Sequence, residues 1–173
     1  MTSERAWVFG DNLDTDVLAP GQYMKSGIEE LARHCLESVD PAFAGSVRPG
    51  DVVVGRRNFG TGSSREQAPQ ALKQLGVAAL VAESFAGLFY RNALNLGLPA
   101  VVCADARRIR AGDRVRVDPA AGRVDNLTTG EVLACEPIPG HLMQMLRDGG
   151  LVPHLEKRLA RQRQSAKPGE PSA

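Results

Sequence analysis

The amino-acid sequence predicts an α/β domain with a mainly parallel sheet flanked by helices. Three apolar runs of strand length, at 51–55, 77–82 and 98–103, lack the alternation of a half-exposed strand and fit strands buried on both faces. Two segments with apolar residues at three- and four-residue spacing separate them, giving the order β-α-β-α-β. With 173 residues, 43% hydrophobic and 24% charged, the chain has the composition of one globular domain with a real core.

The elements follow in order. A first helix is predicted over 28–39, where Ile28, Leu31, Ala32, Cys35, Leu36 and Val39 recur at helical spacing, with Ser26 and Glu29 placed as a capping box. The strand at 51–55 runs into a Gly/Ser-rich stretch at 58–64. A helix follows whose inner face is Ala68, Ala71, Leu72 and Leu75 and which stops at Gly76. The second strand covers 77–82, the next helix 85–96 ends at Gly97, and the third strand covers 98–103. Residues 113–118 alternate like a half-exposed strand, 119–122 form a turn and 123–133 return as strand, together a small β appendage. A helical segment over 141–163 breaks at Gly149 and Gly150, and the remainder over 164–173 reads as a frayed tail. The expected organisation is one domain over 1–156 and a C-terminal tail without fixed structure over 157–173, with no internal repeat.

Several function classes are disfavoured. A formal net charge of +1 with dispersed basic residues marks no surface for nucleic-acid phosphates. Neither a secretory leader nor an apolar run of membrane-spanning length is visible, so the cytoplasm is the expected location and no membrane partner is expected. Cys35, Cys103 and Cys135 have no spacing that would hold zinc or an iron–sulfur cluster within this chain, so no metal site is expected in it.

Chemistry concentrates in Asn58-Phe-Gly-Thr-Gly-Ser-Ser-Arg-Glu-Gln67. Two glycines allow tight backbone turns where two hydroxyls and an arginine meet a helix N-terminus. Free backbone N–H groups there favour negative charge, and Arg65 adds a planar fork suited to a carboxylate. The same residues also fit a plain capping role, with Ser64 and Gln67 as the box. A dinucleotide fingerprint would need glycine at Arg65, a phosphate-binding loop would need Gly-Lys-Ser/Thr, and a nucleophile elbow would need glycines two residues either side of the serine; all three are absent.

This stretch continues through Ala68 and Pro69, is followed by Ser84-Phe-Ala-Gly-Leu-Phe-Tyr-Arg-Asn92, and is preceded by Gly10-Asp-Asn-Leu-Asp-Thr-Asp16. Together these motifs resemble the small-subunit family of isopropylmalate dehydratase and its relatives in the aconitase superfamily, from about Val8 to Cys103 and loosely to Leu155. The resemblance implies a swivelling β/β/α domain of the aconitase C-terminal type. It implies that Ser63 is the base that takes a proton from the carbon beside a carboxylate, that Ser64 and Arg65 bind substrate oxygens, and that Thr15 and Asp16 belong to the polar network of the site. Turn formation around Thr15 is the alternative for Asp14 and Asp16. Lys25, in Tyr23-Met-Lys-Ser26, matches a position that contributes to substrate choice and would meet a carboxylate at the far end of the substrate; the alternative is a solvated lysine.

The resemblance further implies a [4Fe–4S] cluster carried by a partner large subunit and none bound by this chain, with a small hydroxy di- or tricarboxylic acid as substrate. The expected activity is isomerisation by dehydration and rehydration, foremost 3-isopropylmalate to 2-isopropylmalate in leucine biosynthesis, active only with the large subunit. A homoaconitase- or 2,3-dimethylmalate-dehydratase-type small subunit is the alternative within the class, and a non-catalytic carboxylate-binding or regulatory domain the alternative outside it. Two residues depart from the family pattern. Thr61 stands where many isopropylmalate dehydratases have cysteine, and Gly87 stands where arginine is frequent, which is expected to weaken its helix by about 1 kcal/mol.

Overall fold

The computed structural model describes residues 4–166. Strands β1 (Ala6–Val8), β2 (Val52–Val54), β3 (Ala79–Ala82) and β4 (Ala100–Val102) form a wholly parallel sheet in the order β1-β2-β3-β4. Val53, at its centre, lies opposite Trp7 on one side and Leu80 on the other. Because β2 and β3 are buried along their whole length, they read as continuous apolar runs in the sequence. β1 has only three residues, too few to show a period, and sequence reasoning passed over it.

The strand order decides the layers. Right-handed crossovers between strands that are consecutive in space put every crossover helix on one face. The first crossover carries α1 (Thr15–Leu18), α2 (Ile28–Arg33) and α3 (Phe43–Ser46); α4 (Gln67–Gln74) and α5 (Gly87–Asn95) form the next two. Trp7, Val53, Leu80 and Ala100 turn toward these helices and share a core with Leu31, Leu36, Phe43, Leu72 and Phe89. The intervening residues Ala6, Val52, Val54 and Val81 face the other way, onto Val115, Val124 and Leu133. Those three belong to an antiparallel sheet of β5 (Val115–Asp118), β6 (Arg123–Asn126) and β7 (Val132–Ala134). The expected β appendage is therefore the layer that covers the second face, and the architecture is β/β/α.

Several expected elements differ. The helix predicted over 28–39 ends at Arg33, because Leu36 adopts φ 62° and gives its N–H to the Val17 carbonyl, so tertiary pairing with α1 overrides the apolar period. Neither capping box forms: Gly27 at φ 86° is the N-cap of α2 and Glu66 that of α4, both without a side-chain cap bond. The return strand over 123–133 is two strands joined by a turn that ends with Gly130 at φ 78°. The helical segment at 141–163 is α6 (Gly140–Arg147) and α7 (Leu151–Ser165), parted at Gly149 and Gly150 as expected. Leu94, Val101, Ile138, Met145 and Leu146 seat α6 on α5 and β4. The boundary expected at 156 falls within α7, so residues 157–165 of the expected tail are helical, and its residues 167–173 lie outside the described residues.

Candidate active site

The loop 55–66 leaves the carboxyl end of β2 and is held by the loop that leaves β1. Asn12 N–H donates to the Arg57 carbonyl at 2.8 Å, Arg57 N–H to Asp11 Oδ1 at 3.0 Å, and Asn58 Nδ2 to Asn12 Oδ1 at 3.1 Å. Ser84, after β3, accepts from Asn58 N–H through its hydroxyl at 2.9 Å and from Phe59 N–H through its carbonyl at 3.0 Å. The three sequence motifs thus converge because each is the exit of a neighbouring parallel strand, where ligands of such sheets bind. Phe59 packs on Phe85 and Phe89 beneath the loop.

Two glycines then let the chain turn over this aromatic floor. Gly60 has φ 84°, and a Cβ there would sit 2.0 Å from Phe89 Cγ. Gly62 has φ 107°, and a Cβ would sit 3.0 Å from Thr15 Oγ1. Both positions therefore require glycine, and the close approach at Gly62 brings the next residue to α1.

There the structure joins four of the six residues singled out from the sequence. Thr15 is buried at the start of α1 and its N–H donates to the Thr61 carbonyl at 2.9 Å. Its Oγ1 lies 3.3 Å from Ser63 Oγ. Asp14 is the N-cap of α1, accepting from Val17 N–H at 2.9 Å, which leaves Asp16, two residues on in the first turn, facing Arg65. Arg65 Nη1 donates to the Ala19 carbonyl at 3.1 Å and is ion-paired with Asp16. The turn alternative holds for Asp14, whereas Asp16 faces the guanidinium. Among the described residues, Nε and Nη2 of Arg65 make no hydrogen bond.

Ser63 and Ser64 are exposed, and α4 begins only at Gln67. Among the described residues, the N–H groups of Gly62, Ser63, Ser64 and Arg65 donate to no acceptor in the chain. Four free donors beside a guanidinium make a surface that favours an anion. Ser64 lies on this surface without a side-chain bond. Lys25 is exposed in the turn before α2 and makes no hydrogen bond or ion pair among the described residues, so the structure does not tie it to Ser63. The main cavities lie elsewhere, and the serine loop is an open face.

Sequence reasoning missed the carbonyl of Ala19 and the backbone of Gly21, which sit against Arg65; nothing in their residue types signals that role. Thr61 takes part through its backbone carbonyl, so its departure from cysteine leaves the link to Thr15 intact. Gly87 is the first residue of α5 rather than an interior one, which removes most of the expected helix penalty; it lines an apolar groove with Tyr90, Leu94, Leu142 and Met145. Among the described residues no group of three or more His, Cys, Asp or Glu side chains could hold a metal ion, and Cys35 is wholly buried, which pushes its thiol pKa up. Among the described residues, no set of side chains fits an iron–sulfur cluster.

Residues 18–105, which include Ser63, Ser64 and Arg65, match the model of the aconitase C-terminal domain family. A 3-isopropylmalate dehydratase small subunit of Methanopyrus kandleri is 52% identical over 150 residues, 86% of this chain and 88% of the relative. A methanogen homoaconitase small subunit of Methanothermobacter thermautotrophicus is 50% identical over 155 residues, 88% of this chain and 89% of the relative. The crystal structure of a 3-isopropylmalate dehydratase from Methanocaldococcus jannaschii superimposes with a TM-score of 0.90 at 40% identity, covering 96% of this chain and all of that one. A family match over half of the chain, relatives about half identical along most of it and a shared fold place the chain in the aconitase C-terminal domain family, among its hydro-lyase small subunits.

Proposed function

We propose that this chain is the small subunit of a two-subunit hydro-lyase, with Ser63 as the base. The reading is supported above all by one observation: Ser63 Oγ lies 3.3 Å from Thr15 Oγ1 and close in sequence to Arg65, on an exposed loop with four unused N–H donors. A serine hydroxyl is far too weak a base at neutral pH, so the site must stabilise its alkoxide. The free N–H groups and Arg65 supply that field, and Thr15 Oγ1 can donate to the alkoxide. Ser63 then takes the proton from the carbon beside a carboxylate as the hydroxyl leaves the neighbouring carbon, and gives a proton to that neighbour when water adds at the carbon that was deprotonated. Arg65, anchored at Nη1 by Ala19 and Asp16, offers Nε and Nη2 to that carboxylate, and Ser64 offers its hydroxyl. A [4Fe–4S] cluster carried by the large subunit would supply the Lewis acid for the departing hydroxyl. A cytoplasmic location, with no nucleic-acid or membrane partner, belongs to the same proposal.

The leading substrate is 3-isopropylmalate, interconverted with 2-isopropylmalate in leucine biosynthesis. Relatives at similar identity bear different substrate names, including an isopropylmalate/citramalate isomerase small subunit at 46% over 158 residues, so identity alone does not choose. The exposed ammonium of Lys25 favours the second reading, a homoaconitate- or 2,3-dimethylmalate-type substrate with an anionic far end. The test is reconstitution under anaerobic conditions with a cluster-bearing large subunit, over a panel of these acids. The chain alone should be inactive and the mixture active; carboxylate binding without rescue of any large subunit would mark a non-catalytic binding domain instead. In the active mixture, Lys25→Leu should shift preference toward isopropylmalate, and an unchanged preference would remove Lys25 as the selector.

A further inference from the structure

His34, just after α2, is gripped on both ring nitrogens. Nδ1 lies 2.6 Å from Glu37 Oε2 and Nε2 lies 3.1 Å from Glu30 Oε1. Ionised carboxylates only accept, so both contacts are hydrogen bonds only when both ring nitrogens carry protons. The ring also lies flat on Tyr23, with centroids 3.6 Å apart and planes 6° from parallel. An imidazolium on a phenol face gains a cation–π attraction that a neutral imidazole lacks.

Tyr23 ends the single helical turn Gly21–Tyr23, whose first residue lies near Arg65. Arg65 Nη1 donates to the carbonyl of Ala19, and a Cβ on Gly21 would lie 3.9 Å from Nη2, the nitrogen left for substrate. The turn continues through Met24 N–H to the Gly21 carbonyl at 3.2 Å and Ser26 N–H to the Tyr23 carbonyl at 3.0 Å, carrying the exposed Lys25 between them. One aromatic ring therefore links the imidazole to the segment that flanks the guanidinium.

We propose that His34 is a positioning residue: as an imidazolium it holds Tyr23, and with it the turn over residues 20–26, against Arg65, so that affinity for the carboxylate substrate depends on its charge. This rests on the reading of Arg65 as the carboxylate clamp. The groups that face the ring are Glu37, Glu30 and Tyr23; Arg33 takes the other oxygen of Glu30 at 3.1 Å, and α4, packed on α2, contributes no charge to its titration. The hydrogen bond to Glu37, ahead of that to Glu30, raises the imidazole above its ordinary 6.5. The grip is thus complete below that value and is lost as pH rises through the raised one.

The experiment pairs two readouts. In the reconstituted enzyme, KM should rise about 2- to 5-fold as His34 loses its proton, with kcat unaffected by that step. His34→Gln should show the higher KM at every pH. Glu37→Gln, which keeps ring and stack but removes one carboxylate, should lower the midpoint of the KM rise. In the full chain without the large subunit, the His34 C2–H resonance should titrate above 6.5, with the Tyr23 ring signals moving at the same midpoint. Parallel KM profiles for wild type and His34→Gln, or a midpoint at or below the ordinary value, would overturn the proposal. If Arg65→Lys leaves KM unchanged, the clamp reading itself fails and the positioning role falls with it; if Arg65→Lys raises KM and His34→Gln does not, only the positioning role fails.

Discussion

At the scale of single residues, the site depends on backbone positions as much as on side chains. Gly60 lies under Phe89 at a φ that side chains avoid, and its Cβ would overlap the ring. Gly60→Ala should destabilise the chain by about 1–3 kcal/mol, read as a lower urea midpoint with an unchanged m value. Arg65 is a different case, because its exposed ion pair with Asp16 contributes little to stability. Arg65→Lys keeps the charge and loses the fork, so KM of the reconstituted enzyme should rise about 10-fold with the fold intact; an unchanged KM would remove Arg65 as the clamp. Ser63, Ser64 and Arg65 were legible in the sequence because glycine, hydroxyl and guanidinium types gather in one short turn. Ala19 was not, since it acts through a carbonyl that every residue has.

At the scale of elements, legibility followed length and environment. β2, β3, α4 and α5 were visible because buried strands read apolar throughout and glycines close both helices, Gly76 at φ 87° and Gly97 at φ 81°. The first helix was overextended because Cys35 and Leu36 are buried, as the period requires, yet reach the core from a left-handed turn rather than a helix. The capping boxes failed because a fitting pair of side chains does not compel the backbone when a glycine or a loop constraint sets the cap. The α6–α7 junction makes its own prediction. Asp148 ends α6 and accepts from His154 Nδ1 at 2.7 Å and Lys157 Nζ at 2.9 Å of α7; these bonds, that from His154 foremost, hold its pKa down at about 2. A lowered carboxylate pKa stabilises above the ordinary value of 3.8 and loses that contribution as pH falls toward 2. Protection of the amides in the first turns of α7, measured against the intrinsic exchange rate at each pH, should therefore hold above 3.8 and fall below it. Asp148→Asn should show the faster exchange already at neutral pH; unchanged exchange there would mean that the ion pairs do not hold the junction.

At the scale of the whole molecule, the strand order explains why the serine loop stands open. Four parallel strands in consecutive order send all crossover helices to one face, and the antiparallel sheet covers the other. The carboxyl edge, where the exits of β1, β2 and β3 meet, is left uncovered by either layer. The class of fold was readable from the apolar runs, but the assignment of each layer to a face was not, because it depends on which strands are neighbours. Ser63 and Ser64 are exposed there and Arg65 is only partly covered. The central claim is that Ser63 on this face is the base. The most direct measurement is the initial rate of alkene-acid formation by wild type and Ser63→Ala, each mixed anaerobically with the same cluster-bearing large subunit. The account predicts equal assembly of both mixtures and a loss of about 10²- to 10⁴-fold in kcat for Ser63→Ala; turnover by the variant at the wild-type rate would contradict it.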